Sequence, residues 1–379
     1  MRTKAALLLE MGRPKPYAKS VPIVIEELEL EGPGAGEVLV EMAAGGLCHS
    51  DLSVMNGTRP RPTPMVLGHE AAGVVREIGA GVSGLEPGDH VVFSYVPACR
   101  RCAECVSGRP AMCRVGAAAN GAGTLLGGAR RFKRKGQPVY HHLGVSGFSE
   151  YTVASQDSLV KIDPALPLDK AALFGCAIAT GVGAVVNTAR VEPGTSVAVF
   201  GLGGVGLAAV MGAKLAGAHP IVAVDVLASK FDLARKLGAT HTVDANKDDP
   251  ASHVREVTGG GAAYTFDATG VAKVLEQAFA ATARGGVTVV IGLPHPDHRV
   301  TLSPLAMVAE ERIIKGCYMG SAVPWRDIPR FIALYRAGAL PMDAMITGTV
   351  TLEQINEGFD RLDRGEAVRQ VLHPHERAA

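Results

Sequence analysis

Residues 196–225 read SVAVFGLGGVGLAAVMGAKLAGAHPIVAVD. An apolar run meets a glycine turn, an apolar helical stretch follows, and a second apolar run ends in Asp225. Strand, turn, helix and strand make a βαβ unit, and such a crossover leaves its two strands parallel. Gly201, Gly203 and Gly206 fill the pattern G-x-G-x-x-G, with Gly204 and Val205 between the last two. The first glycine permits the tight turn, the second removes a side chain where a pyrophosphate must approach, and the third lets helix and strand pack closely. The helix N-terminus then offers unpaired N–H groups to phosphate. Asp225 lies about 20 residues on, where a carboxylate accepts from both ribose hydroxyls and repels a 2′-phosphate. The expected dinucleotide is therefore NAD, and Lys230, the nearest cation, is placed to brace the ribose.

Outward from this unit the same alternation continues through FDLARKLGAT, YTFDATG, VLEQAFAATA and GVTVVIGL. It predicts a parallel sheet wound with helices over residues 178–320. Before it, VLVEM, AAGVVREIG, HVVFSY and YTVAS are short β-type runs divided by Gly and Pro, as in a barrel-like or sandwich-like β domain. After about residue 320, RFIALYRAG and LEQINEGFDRLDRG read as helices and RQVLH as a last strand. The most unusual connection is 114–147, rich in Gly and Ala; its run ARRFKRK reads as a solvated basic loop rather than an anion site.

The chain has 379 residues, a 47% hydrophobic share, 46 glycines and a net charge of +1. Two domains and a globular α/β protein fit these values. The charge gives no general pull toward nucleic acid or acidic membranes. The N-terminal AALLL is too short for a signal peptide, and no apolar span has membrane length. The expectation is a cytoplasmic protein with no nucleic-acid or membrane partner.

Four of the seven cysteines, Cys99, Cys102, Cys105 and Cys113, crowd into C-x2-C-x2-C-x7-C. Disulfide frameworks belong to small secreted domains, so a metal is the better reading. Four thiolates close a tetrahedral zinc shell and leave no place for substrate, which makes the site structural; an iron–sulfur cluster also uses closely spaced cysteines. Zinc binding contributes on the order of 10 kcal/mol to such a lobe. Cys48 opens CHSD, His69 and Glu70 lie in GHE, and Cys176 lies in FGCAIATG. A Cys–His–Cys set leaves zinc one open position, as catalysis requires, although each residue alone reads more readily as core than as ligand.

Taken together, CHSD, GHEAAGVV, PGDHV, the four-cysteine lobe, GCAIATG, GLGGVG, Asp225 and GEAVRQVL resemble, end to end and in order, a zinc-dependent alcohol dehydrogenase of the medium-chain dehydrogenase/reductase superfamily. Segment 114–147 resembles the animal-type and formaldehyde-dehydrogenase branches. The resemblance implies a GroES-like catalytic domain, 1–177 and 321–379, with a zinc lobe at about 95–115 and a Rossmann NAD-binding domain, 178–320, inserted. It implies two zinc ions: one on Cys48, His69 and Cys176 with Glu70 as an alternative ligand, the other on the four clustered cysteines. Asp51 would orient His69 through the other ring nitrogen. His49 and Arg369 fall at the family's pyrophosphate contacts, Thr180 near the nicotinamide, and Tyr95, with Arg59, at the substrate pocket.

The implied chemistry is reversible hydride transfer between a primary or secondary alcohol and NAD, with zinc lowering the pKa of the alcohol. Ser50 would carry the proton away. Many relatives end that relay on a histidine three residues further on; here Ser53 stands there, so release through ribose and water is expected. The runner-up is a thiol-dependent formaldehyde dehydrogenase. The glutathione-using branch has an acid after the NG turn and a basic residue past the fourth cysteine, where this chain has Thr58-Arg59 and Ala117. Arg59, Arg61 and Arg114 would then serve a different acidic thiol. A homodimer is expected, with a tetramer as the alternative.

Overall fold

The computed structural model describes residues 1–376. It divides into two compact units. The first comprises Met1–Cys176, Val323–Ile332 and the chain from Ile346 on; the second comprises Ala177–Ala322 and Ala333–Met345. The stretch 321–379, read from sequence as one with the first domain, thus divides between them.

The first unit is built on strand Glu37–Gly46, which pairs antiparallel with Ala71–Ile78 and with Tyr151–Ser155. Its far end also pairs with Arg369–Leu372, through Val371 opposite Gly46 and Leu372 opposite Gly45. Early and late parts of the chain therefore contribute to one sheet. Their joint core buries Ala6, Leu8, Leu47 and Leu52 with Val350, Ile355, Phe359 and Leu372. Polar contacts lock the closure: the Asp360 carboxylate accepts from the N–H groups of Tyr17 and Ala18 at 2.7 and 2.9 Å. A second sheet centres on Arg2–Leu8, antiparallel to Ile23–Leu30.

Segment 114–147 is ordered as helix Arg114–Ala122 and short strands including Phe132–Arg134. Its basic run is not merely solvated, because an acidic strand lies against it. Arg131 holds Glu37 at 2.7 Å, Arg134 holds Glu26 at 2.6 Å, and Lys133 pairs with Glu31. Those pairings engage three of the run's five cations.

The second unit holds six parallel strands. Across the sheet they run His241–Asp244, Ile221–Asp225, Val197–Phe200, Ala262–Asp267, Thr282–Val290, Ile313–Gly316. In chain order that is third, second, first, fourth, fifth, sixth, so the strand order reverses beside Val197–Phe200 and ligands bind at the carboxyl ends there. Val197–Phe200 and Ile221–Asp225 are buried throughout, as strands covered on both faces must be. Helix Gly204–Leu215 follows the glycine turn. Among the described residues no single helix is long and apolar enough to cross a membrane.

Candidate active site and metal centres

In the first unit, strand Glu37–Gly46 delivers Cys48 to the start of helix His49–Met55. His69 and Glu70 follow Gly68, whose φ of +96° and whose absent Cβ, otherwise 2.5 Å from Phe148 N, make glycine obligatory. Gly46 likewise leaves room for Glu70, since a Cβ there would stand 2.4 Å from its Oε1. Cys176 ends the short helical turn Ala172–Gly175.

These elements bring Cys48, His69 and Cys176 together. Their three ligand atoms lie within 4.8 Å of one another, and His69 Nε2 is 3.3 Å from Cys176 Sγ. A tetrahedral zinc with bonds of roughly 2.0–2.3 Å needs ligand separations of roughly 3.3–3.8 Å, so the set fits zinc and leaves a fourth position. The Cys48 thiol is held well below its ordinary value, first by the Cys176 thiol hydrogen-bonded to it, with Arg369 adding to the effect. That favours the thiolate a metal requires.

Asp51, fully buried, accepts from Gly68 N–H at 3.2 Å and lies 3.0 Å from His69 Nδ1, which leaves Nε2 for the metal. Burial alone would raise its pKa, but His69 and His142 overcome this and hold it below its ordinary value. His142 was not singled out from sequence; its Nδ1 is 3.1 Å from Asp51 Oδ1. The His69 ring meets two edges, Tyr95 at 5.4 Å and His142 at 5.7 Å. Glu70 is also fully buried, and neither oxygen has a hydrogen bond. Burial pushes its pKa up to about 7, against the pull of Arg369, whose Nε is 3.7 Å away. Arg369 is thus buried beside Glu70. That pairing was invisible in sequence, because the two residues lie almost at opposite ends of the chain.

Ser50 Oγ is 4.0 Å from Cys48 Sγ, whereas Ser53 Oγ donates to His49 O at 2.7 Å. The hydroxyl at the usual relay position is therefore committed to its own helix. His49 is exposed at that helix's first turn, and Arg59 N–H donates to Ser53 O at 2.8 Å. Arg114 forms a two-point pair with Glu104, at 2.6 and 3.1 Å.

The lobe cysteines are all free of disulfides, and their four sulfurs lie within 4.8 Å of one another. Backbone N–H groups of Cys99 and Gly116 donate to Cys113 Sγ at 3.3 Å, and that of Cys102 donates to Cys99 Sγ at 3.4 Å. Donors aimed at sulfur stabilise thiolates, so this cluster also fits zinc.

In the second unit, Gly201 has φ +89° and a Cβ on Gly206 would stand 1.7 Å from Gly201 O, whereas one on Gly203 meets nothing within 4 Å. The turn is thus closed at its ends and open in the middle, as a pyrophosphate cradle requires. Gly204 and Val205 open the helix, whose start has no side-chain cap. Asp225 accepts from Leu202 N–H at 2.6 Å and Leu227 N–H at 2.8 Å, and Lys230 Nζ lies 3.4 Å from it. The carboxylate is thereby tied to the glycine turn itself. Thr180 Oγ1 is buried without a hydrogen-bond partner, as a hydroxyl awaiting a ligand would be.

Comparison with known proteins agrees with this geometry. Residues 34–164 match the alcohol dehydrogenase GroES-like domain, and residues 204–337 match the zinc-binding dehydrogenase domain. An alcohol dehydrogenase class-3 of Cereibacter sphaeroides is 41% identical, over 98% of this chain and 100% of its own. An S-(hydroxymethyl)glutathione dehydrogenase of Paracoccus denitrificans is 40% identical over the same shares, 98% and 100%. Among solved structures, an alcohol dehydrogenase zinc-binding domain protein of Burkholderia ambifaria has a TM-score of 0.93 at 36% identity, covering 99% of this chain and 100% of that one. Benzyl alcohol dehydrogenase of Acinetobacter calcoaceticus has a TM-score of 0.91 at 31% identity, covering 98% and 99%. The chain belongs to the zinc-dependent alcohol dehydrogenases of the medium-chain dehydrogenase/reductase superfamily and is an NAD-dependent oxidoreductase with zinc as its metal.

Proposed function

We propose that the protein catalyses reversible hydride transfer between a primary or secondary alcohol and NAD, yielding an aldehyde or ketone and NADH. The observation that carries this reading is the buried Cys48–His69–Cys176 set, three ligands within 4.8 Å with one coordination position left over. Zinc held there supplies Lewis acidity, which lowers the pKa of an alcohol and polarises a carbonyl. Asp51 keeps His69 in the tautomer that presents Nε2. Ser50, 4.0 Å from Cys48 Sγ, passes the alcohol proton outward, while the Ser53 hydroxyl is spent on His49 O. Asp225 selects NAD over NADP, since its buried carboxylate repels a 2′-phosphate. Tyr95, edge-on to His69, lines the substrate side.

The relatives named class-3 alcohol dehydrogenase and S-(hydroxymethyl)glutathione dehydrogenase favour a second reading, oxidation of a formaldehyde–thiol adduct. Against glutathione as that thiol stand Thr58-Arg59 and Ala117, and the engagement of Arg114 by Glu104. Steady-state rates with NAD on a panel of alcohols, and on formaldehyde with and without thiols, test both. Activity on formaldehyde only when a thiol is present, with none on alcohols, would establish the second and remove the first.

A homodimer is the assembly we favour. The strand Ile313–Gly316 forms an outer edge of the parallel sheet, and Leu305, Val308 and Ile313 around it are 73%, 78% and 45% exposed. A reducing, cytoplasmic setting suits seven cysteines without a disulfide.

A further inference from the structure

We propose that His142 is a positioning residue for the catalytic metal centre: its Nδ1–H donates to the Asp51 carboxylate, and the carboxylate thereby holds His69 toward the metal. The inference rests on the zinc reading of Cys48, His69 and Cys176. His142 and Asp51 are 1% and 0% exposed, so neither can turn to bulk water for a partner. His142 Nδ1 stands 3.1 Å from Asp51 Oδ1, yet obliquely, and Nδ1 and Asp51 Oδ2 are both left without an aligned partner. A buried donor and a buried acceptor are each destabilising when unmet. A small rotation of the carboxylate meets both needs at once. An ionised carboxylate only accepts, so the facing Nδ1 must carry the hydrogen.

The consequence reaches the metal through His69. Asp51 already receives Gly68 N–H and His69 Nδ1. A third donor fixes the carboxylate's plane and, with it, the plane of the His69 ring, which the His142 ring also meets T-shaped, at 83°. Partners of this kind, one bond removed from a ligand, typically change metal affinity 10–100-fold when lost.

Two substitutions separate donation from bulk. His142→Phe keeps a ring and loses the N–H; His142→Asn loses the ring but places an amide N–H where Nδ1 was. Zinc release from holoenzyme to a chromophoric chelator is the readout, with the zinc of the Cys99–Cys113 lobe as internal reference. Release of the catalytic zinc is expected to quicken 10–100-fold in His142→Phe and to stay within about threefold of wild type in His142→Asn. The lobe's release is unchanged in both. In cobalt-substituted enzyme, the visible band shifts in the Phe variant and is restored in the Asn variant. Wild-type release from His142→Phe, or release from His142→Asn as fast as from His142→Phe, overturns the proposal. If the Phe variant does not fold, release from His142→Asn beyond threefold overturns it alone. A wild-type enzyme holding only the lobe's zinc overturns instead the catalytic-zinc reading beneath it.

Discussion

Gly203→Ala and Gly206→Ala differ by one methyl placed three residues apart, yet they are expected to fail in opposite ways. At Gly206 the new Cβ would stand 1.7 Å from Gly201 O, far inside any tolerated carbon–oxygen contact. The obstacle is backbone at the end of a buried strand, so the turn must deform. Overpacking of this severity costs on the order of 3–4 kcal/mol. For domains of this size that lowers the melting temperature by roughly 10 °C. At Gly203 the Cβ meets nothing within 4 Å. Its φ of −75° and ψ of −176° are extended values that alanine adopts freely. A weaker helix cap offsets a less flexible unfolded chain, and the net change stays within about 1 kcal/mol. The methyl instead fills the space through which a pyrophosphate approaches the backbone. Gly203→Ala should therefore melt within about 3 °C of wild type while losing NADH affinity by about 100-fold or more. Thermal melts and NADH fluorescence titration measure the pair. Near-normal NADH binding by Gly203→Ala, or a melt as low as that of Gly206→Ala, would refute the reasoning.

Three further outcomes are expected. His141 is buried, with its pKa lowered by burial to about 3 from the ordinary imidazole value of about 6.5. Between these values the unfolded chain binds a proton that the fold refuses, so its share of stability is complete above about pH 6.5 and is lost progressively toward pH 3. Wild type should therefore lose about 2 kcal/mol more than His141→Gln between pH 7 and pH 5 in urea titrations; equal losses would sink the assignment. Asp225→Asn, which removes the charge facing the ribose, should cut the NAD:NADP ratio of kcat/KM by at least about tenfold, or about 1.4 kcal/mol, and an unchanged ratio would count against Asp225 as selector. Cys113→Ser removes a sulfur that accepts from Cys99 and Gly116 N–H. Metal analysis should then find one zinc per chain in place of two, with proteolytic nicking confined to residues 99–123; two retained zincs would exclude the lobe as a site.

The sequence alone carried the parallel, helix-wound unit and the lobe's metal chemistry, because both are local. A strand, its glycine turn and the next strand occupy 30 consecutive residues, and the four lobe cysteines fall within 15, so spacing already constrains geometry. The second metal set was different. His69 and Cys176 lie 107 residues apart, and each is individually indistinguishable from core. Family resemblance joined them where spacing could not. Tertiary structure alone brought His142 to Asp51, seated Arg369 against Glu70, and set Arg131, Lys133 and Arg134 of the basic run on Glu37, Glu31 and Glu26. Those contacts depend on which strands pair and on how the late strand Arg369–Leu372 joins the sheet around Glu37–Gly46. Periodicity announces that a strand exists; only burial in a particular core decides which side chains it places against one another.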